Sequence, residues 1–135
     1  MAVTGDTEAV FAVLCAADPD VMDRDEIAAY IKQVAALKAW CESLNVRATR
    51  RQRQLAADGR AEAPKDLLAR EGGQSGKDAR AGEEREQVCT ALPNFEDALA
   101  SGAVSAGHVD AIAGAIRNLW RRSPPAVTRS SSCTC

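Results

Sequence analysis

The stretch DRDEIAAYIKQVAALKAWCESLNVRATRRQRQLAA, residues 23–57, places Ile27, Tyr30, Val34, Leu37, Cys41, Leu44, Ala48 and Leu55 at alternating three- and four-residue steps. Arg51 is the one step in that series that is not apolar. The period is that of an α-helix, which over this length extends about 50 Å at 1.5 Å per residue. A stripe so long must be covered. Packing against the chain's own helices is the first expectation. Homodimerisation through the 27–55 helix is the second, because the remaining sequence supplies few large apolar residues.

Outside this helix, punctuation divides the chain into shorter ones. On its N-terminal side, residues 6–17 form an amphipathic pattern (Val10, Phe11, Val13, Leu14) with Asp6 or Thr7 as cap, broken by Asp18-Pro19-Asp20. On its C-terminal side, Asp58-Gly59 ends the long helix, and Pro64 opens PKDLLARE. Gly72-Gly73 stops that segment, and Ser75 caps a helix from Gly76 to Leu92. The polar run KDARAGEERE predicts that this helix is mostly solvated or bound to something. Asn94 caps FEDALA, which ends at Gly102, and Ser105 caps a last helix carrying Val109, Ile112, Ala113, Ile116 and Leu119. After Trp120, RRSPPAVTRSSSCTC has no periodicity and predicts a disordered tail.

The composition agrees with an all-α fold. Of 135 residues, 27 are Ala, 10 Val and 4 Ile, with aromatics at 4%, so helix formers abound and the side chains that stabilise sheets are scarce. The expected architecture is one long amphipathic helix packed with several shorter ones. Its parts are an acidic N-terminal helix and loop (1–22), a helical domain (23–120) and a tail (121–135).

Several function classes fall away on inventory. Five cysteines, at 15, 41, 89, 133 and 135, form no Cys-x-x-Cys pair and have no adjacent histidine. Buried thiols in a reducing cytoplasm are therefore expected rather than zinc. His108 is the sole histidine, which excludes a multi-histidine metal centre and suits a half-buried packing or hydrogen-bonding role. No Ser or Cys has a base partner beside it, and Glu83-Glu84 reads as a solvated face. No catalytic residue, metal, cofactor or small-molecule substrate is expected. No apolar run approaches the roughly 20 residues of a membrane span, and a cytoplasmic protein is expected.

Net charge is −2, but residues 1–26 carry seven acids against Arg24, leaving the remaining 109 residues at +4. A polyanion would meet the second part. Arg47, Arg50, Arg51 and Arg53 cluster at the end of the long helix, where they suit phosphate and equally the helix dipole. Residues 65–84 have the layout of a helix-turn-helix: Ala69, Gly73, Ser75 and Ala79 occupy the small, turn, cap and small positions. Gln74 and Gly82 stand where that motif has apolar packing. Lys77, Arg80 and Arg85 would face DNA, set against Asp78, Glu83, Glu84 and Glu86. An ordinary helical hairpin is the equal alternative.

GGQS (72–75) followed by ALPNFEDALASGAVSAGHVDAI (91–112) carries a resemblance. Through Leu92-Pro93, Ala98-Leu99, Gly102, Ser105 and His108, the chain resembles the domain of unknown function, family 222, of the bacterial thirteen-E-twelve repeat proteins. That likeness covers about three quarters of the chain. In the family this helical domain commonly precedes an HNH nuclease domain, a part this sequence lacks. The resemblance therefore implies a non-catalytic, DNA-associated docking module rather than a nuclease. The family pattern continues in helix past the position of Leu119, whereas here it switches to WRRSPPAVTRSSSCTC, so a truncated copy is expected. The alternatives are a protein-interaction or homodimerisation module and a degenerate product without activity.

Overall fold

The computed structural model describes residues 5–122. Six α-helices follow one another: α1 (Gly5–Ala16), α2 (Arg24–Ala57), α3 (Pro64–Arg70), α4 (Gly76–Ala91), α5 (Pro93–Ser101) and α6 (Ala106–Arg122). A 3-10 turn at Pro19–Val21 joins the first two. There is no strand among the described residues.

The helix ends follow local chemistry. Asp23 caps α2 by accepting the Glu26 N–H at 2.9 Å, and that backbone bond holds its carboxyl below the usual carboxylate value. The helix closes at Asp58, beyond which Gly59 takes φ 72°. Pro64 opens α3, and Ser75 caps α4 by accepting the Asp78 N–H at 3.1 Å. In α5 it is Pro93, not Asn94, that begins the helix. Proline's fixed φ and missing N–H suit the first turn, whose amides lack partners anyway. Helix α6 runs on to Arg122, two residues past the expected boundary, while the rest of the expected tail, with Cys133 and Cys135, lies outside the described residues.

The core is Ala39 and Val46 from α2, Val88 and Cys89 from α4, Leu99 from α5, and Val109 and Ala113 from α6. Phe95, Val104 and Ile112 pack against it. These residues place α4 at the centre, packed against α2, α3, α5 and α6. Of the two expectations for this polar helix, solvated or bound to something, the second describes it: α4 is bound by the other helices of its own chain. Its inward positions are small, and a Cβ added at the buried Gly82 would stand 3.1 Å from Leu68 Cδ1. Lack of bulk there lets α3 lie close, forming the hairpin that the spacing of residues 65–84 predicts.

The face of α2 also differs from the expected stripe. Its buried positions are Ala39, Ser43, Val46 and Thr49, whereas Cys41, Leu44 and Ala48 are exposed. Close crossing by α4 and α5 selects small side chains, so the larger apolar residues fall to one side. Of the stripe, Tyr30, Val34, Leu37 and Leu55 are half-buried, Leu37 where Thr7 and Val10 of α1 adjoin it and Trp40. The thiols divide similarly. Cys89 is buried, but Cys15 and Cys41 are exposed, against the expectation of buried thiols, because each lies on the outer side of its helix. No described helix is long and apolar enough to cross a membrane.

Candidate nucleic-acid interface

The four arginines of the α2 cluster do not form one patch. A helix turns 100° per residue, so positions 50 and 53 share the inward side while 47 and 51 face outward. Arg50 donates to both oxygens of Glu96 on α5, at 2.6 and 3.3 Å, and through Nε to Thr90 Oγ1 at 3.0 Å. The Glu96 hydrogen bonds, outweighing partial burial, raise the pKa of Arg50. The Thr90 hydroxyl in turn donates to Glu86 Oε1 at 2.8 Å. Glu86 is fully buried, ion-paired with Arg53 and 3.7 Å from Arg50 Nε. Beside this network the Cys89 thiol is pushed up, first by burial and then by the charge of Glu96.

Arg85, the next residue along α4, belongs to a second network. Its Nη1 donates to Glu42 on α2 at 2.7 Å, and its Nε and Nη2 donate to the two Asp110 oxygens on α6 at 2.9 and 2.7 Å. Burial works against its charge, but the Asp110 bonds and the charges of Asp110 and Glu42 leave its pKa raised. Arg50, Arg53 and Arg85 therefore tie α4 to α2, α5 and α6, with their guanidiniums turned to carboxylates of the same molecule. Glu96, Glu42 and Asp110, which complete these ties, do not stand out in the sequence, and Glu86 reads there only as an acid set against the basic residues of its own helix. That signal reads equally as a solvated pair.

The remaining basic candidates stay open to solvent. Arg47 is exposed, and Arg51 reaches only its neighbour Gln54, at 3.3 Å. Lys77 and Arg80, on the first turns of α4, are exposed on the lip of a groove of about 670 Å³ that also includes Glu84, Asp110 and Arg117. Arg117 bonds Glu84 at 3.0 Å, and Asp110 is held by Arg85. The two acids of the groove thus already have cations. Lys77 and Arg80 have no ion-pair partner within the described residues. Arg117 is an addition that the sequence reading did not name. It lies on α6, some 40 positions from Lys77, and only the α4–α6 packing brings the two together.

The residues that carry the family resemblance build a corner between α5 and α6. Leu92 is exposed, Pro93 starts α5, and Leu99 is fully buried. The Ala98 carbonyl accepts the Ala103 N–H at 2.9 Å, while Gly102 takes φ 79°. A Cβ at Gly102 would stand 2.8 Å from Ala36 Cβ, so both the turn and the approach to α2 require glycine. Ser105 and His108 then cap α6 reciprocally. The Ser105 N–H donates to His108 Nδ1 at 3.0 Å, and the His108 N–H to Ser105 Oγ at 3.3 Å. His108 is exposed and makes hydrogen bonds rather than packing. The motif is a folding device. Among the described residues, no group of three or more His, Cys, Asp or Glu side chains is placed to hold a metal ion. No family model, curated protein or solved structure matches the chain.

Proposed function

We propose that this chain is a non-catalytic, cytoplasmic docking module of the nuclease-associated bacterial family it resembles, and that its partner is the DNA backbone. The observation that carries this reading is the groove lip. Lys77 and Arg80 stand there exposed without an ion-pair partner among the described residues, while the two acids lining the groove, Glu84 and Asp110, are held by Arg117 and Arg85. The amides of the first turn of α4 add positive potential at the same place. Such a face binds phosphates without reading bases, since base recognition needs side chains inserted into a groove.

Titration of labelled duplex DNA at several salt concentrations tests it. Two phosphate contacts, from Lys77 and Arg80, give a slope of about −1.8 in log K against log salt, and Lys77→Glu/Arg80→Glu abolishes it. Arg47→Glu/Arg51→Glu serves as the comparison, expected to leave most binding intact. Absence of saturable binding at about 50 mM salt rejects DNA as the partner. A second reading, homodimerisation through α2, is favoured by its exposed Ile27, Ile31, Cys41 and Leu44. Sedimentation distinguishes it. A poorly cooperative melt, with neither DNA binding nor self-association, supports the degenerate product instead.

A further inference from the structure

A second groove along the α4–α6 seam, sharing Glu84 and Arg117 with the cationic lip, points to self-association. About 540 Å³ in volume, it has Val88, Ala91, Ile116 and Trp120 on its floor and Glu84, Arg117 and Arg121 on its rim. Trp120 is 62% exposed and Leu119 beside it 64%, a costly arrangement for large apolar side chains in water. On α1, Glu8, Phe11, Ala12 and Cys15 are exposed at one-face helical spacing, Glu8 and Phe11 lining an open cleft beside Leu37 and Trp40 of α2. Phe11, one of two phenylalanines in the chain, is 57% exposed there.

Charge matches these two surfaces. α1 carries Asp6 and Glu8 and no base, within an N-terminal 26 residues of net charge −6. Residues 111–122 of α6 have Arg117, Arg121 and Arg122 and no acid, and of the two rim arginines Arg117 is held by Glu84. Position prevents them from meeting within one chain. α1 lies against Leu37 and Trp40 of α2, and the start of α6 at Ala106 adjoins that same part of α2, near Leu37. Trp120 is 14 residues further along α6, about 21 Å away at 1.5 Å per residue.

We propose that α1 of one copy docks into the α4–α6 groove of the next, with Phe11 beside Trp120 and the acidic segment against the Arg117–Arg121 rim. Such a contact joins unlike surfaces, so each copy keeps a free head and a free tail, and association continues beyond a dimer unless the chain closes into a ring. Salt weakens it, because opposite charges steer and hold the pair.

Sedimentation velocity on the full chain, at protein concentrations on the order of 10 to 500 µM and in low and high salt, tests the proposal. The wild-type protein gives a mass that rises with concentration past twice the 14.3 kDa of the chain and falls back as salt is added. Phe11→Glu and Trp120→Glu each weaken association by about tenfold or more, and helicity measured alongside confirms that these exposed positions leave the fold intact. The decisive sample is the mixture. Phe11→Glu retains a working groove and Trp120→Glu a working α1, so together they form a species of two chains and nothing larger. A wild-type monomer at every concentration overturns the proposal, including the case where residues 123–135 fill the groove in the same chain. A dimer that survives both substitutions also overturns it, and directs attention to the α2 face. The DNA titration stays separable, because Lys77 and Arg80 line only the lip and Trp120 only the groove, and the shared Arg117 is unchanged in both tests.

Discussion

Burying a carboxylate without any exposure, as at Glu86, is tolerable only where cations and hydrogen bonds replace water. Arg53, Arg50 and the Thr90 hydroxyl supply them here. The consequence of removing Glu86 differs between its two arginines. Arg50 keeps Glu96, whereas Arg53 loses the one carboxylate it holds. Glu86→Met therefore leaves a cation facing an apolar pocket, with an expected loss of about 2 to 3 kcal/mol in urea unfolding. That lies at or below the lower end for broken buried pairs because the Arg53 side chain is 39% exposed. Glu86→Met/Arg53→Met returns the protein to within about 1.5 kcal/mol of wild type, since an apolar replacement of both partners removes the unpaired charge. Equal losses for the single and double substitutions would show that the Glu86 site loses packing rather than pairing. The network thus holds α4 with charge in a core whose buried apolar residues are mostly small.

Helix α2 shows which properties of an element the sequence determines openly. Its start is set by Asp23, whose folded carboxyl titrates below the ordinary value because the Glu26 N–H bonds the ionised form. A depressed folded pKa contributes stability above the unfolded value of about 3.9, and that contribution disappears as pH falls through the folded one. Asp23→Asn caps without titrating, so thermal unfolding of the two proteins should coincide near pH 6 and diverge below about pH 4, wild type being the weaker there. Coincident curves down to pH 2 would remove the cap from the account of acid sensitivity. The cap, Pro64, Ser75, Gly102 and Ser105 were all legible, since each acts within four residues of itself. Orientation was not. Hydrophobic spacing ranks side chains by size, and so selected Cys41, Leu44 and Ala48 over the Ala39–Ser43–Val46–Thr49 face that small residues bring against α4. The same bias concealed the central place of α4, whose inward side reads Ala79, Gly82, Glu86 and Cys89. Among the basic candidates, position along the chain could not separate Arg47 and Arg51 from Arg50 and Arg53. The partners that divide them lie about 40 residues away on other helices.

At the scale of the molecule, the acidic head and the cationic lip oppose each other for any polyanion. Residues 1–22 hold four acids and no base, so without them the chain changes from −2 to +2. Their removal leaves the buried core untouched, because α1 contributes no residue to it and its packing is against α2. A chain beginning at Asp23 should therefore unfold cooperatively with a midpoint within about 8 °C of the full chain, the loss coming from newly exposed Leu37 and Trp40. Its affinity for duplex DNA should rise severalfold at about 50 mM salt, where the Debye length still lets four distant acids act on the lip. At about 500 mM salt, that range shrinks below the span between α1 and α4, and the two affinities converge. The titration must be run at nanomolar protein, where head-to-tail association is absent in both chains and cannot contribute avidity to the full one. A shortened chain that stays folded and binds no more tightly at low salt would place the acidic segment outside the field of Lys77 and Arg80. Convergence at high salt, with the melt preserved, would make residues 1–22 an electrostatic brake on the same face that the phosphates occupy.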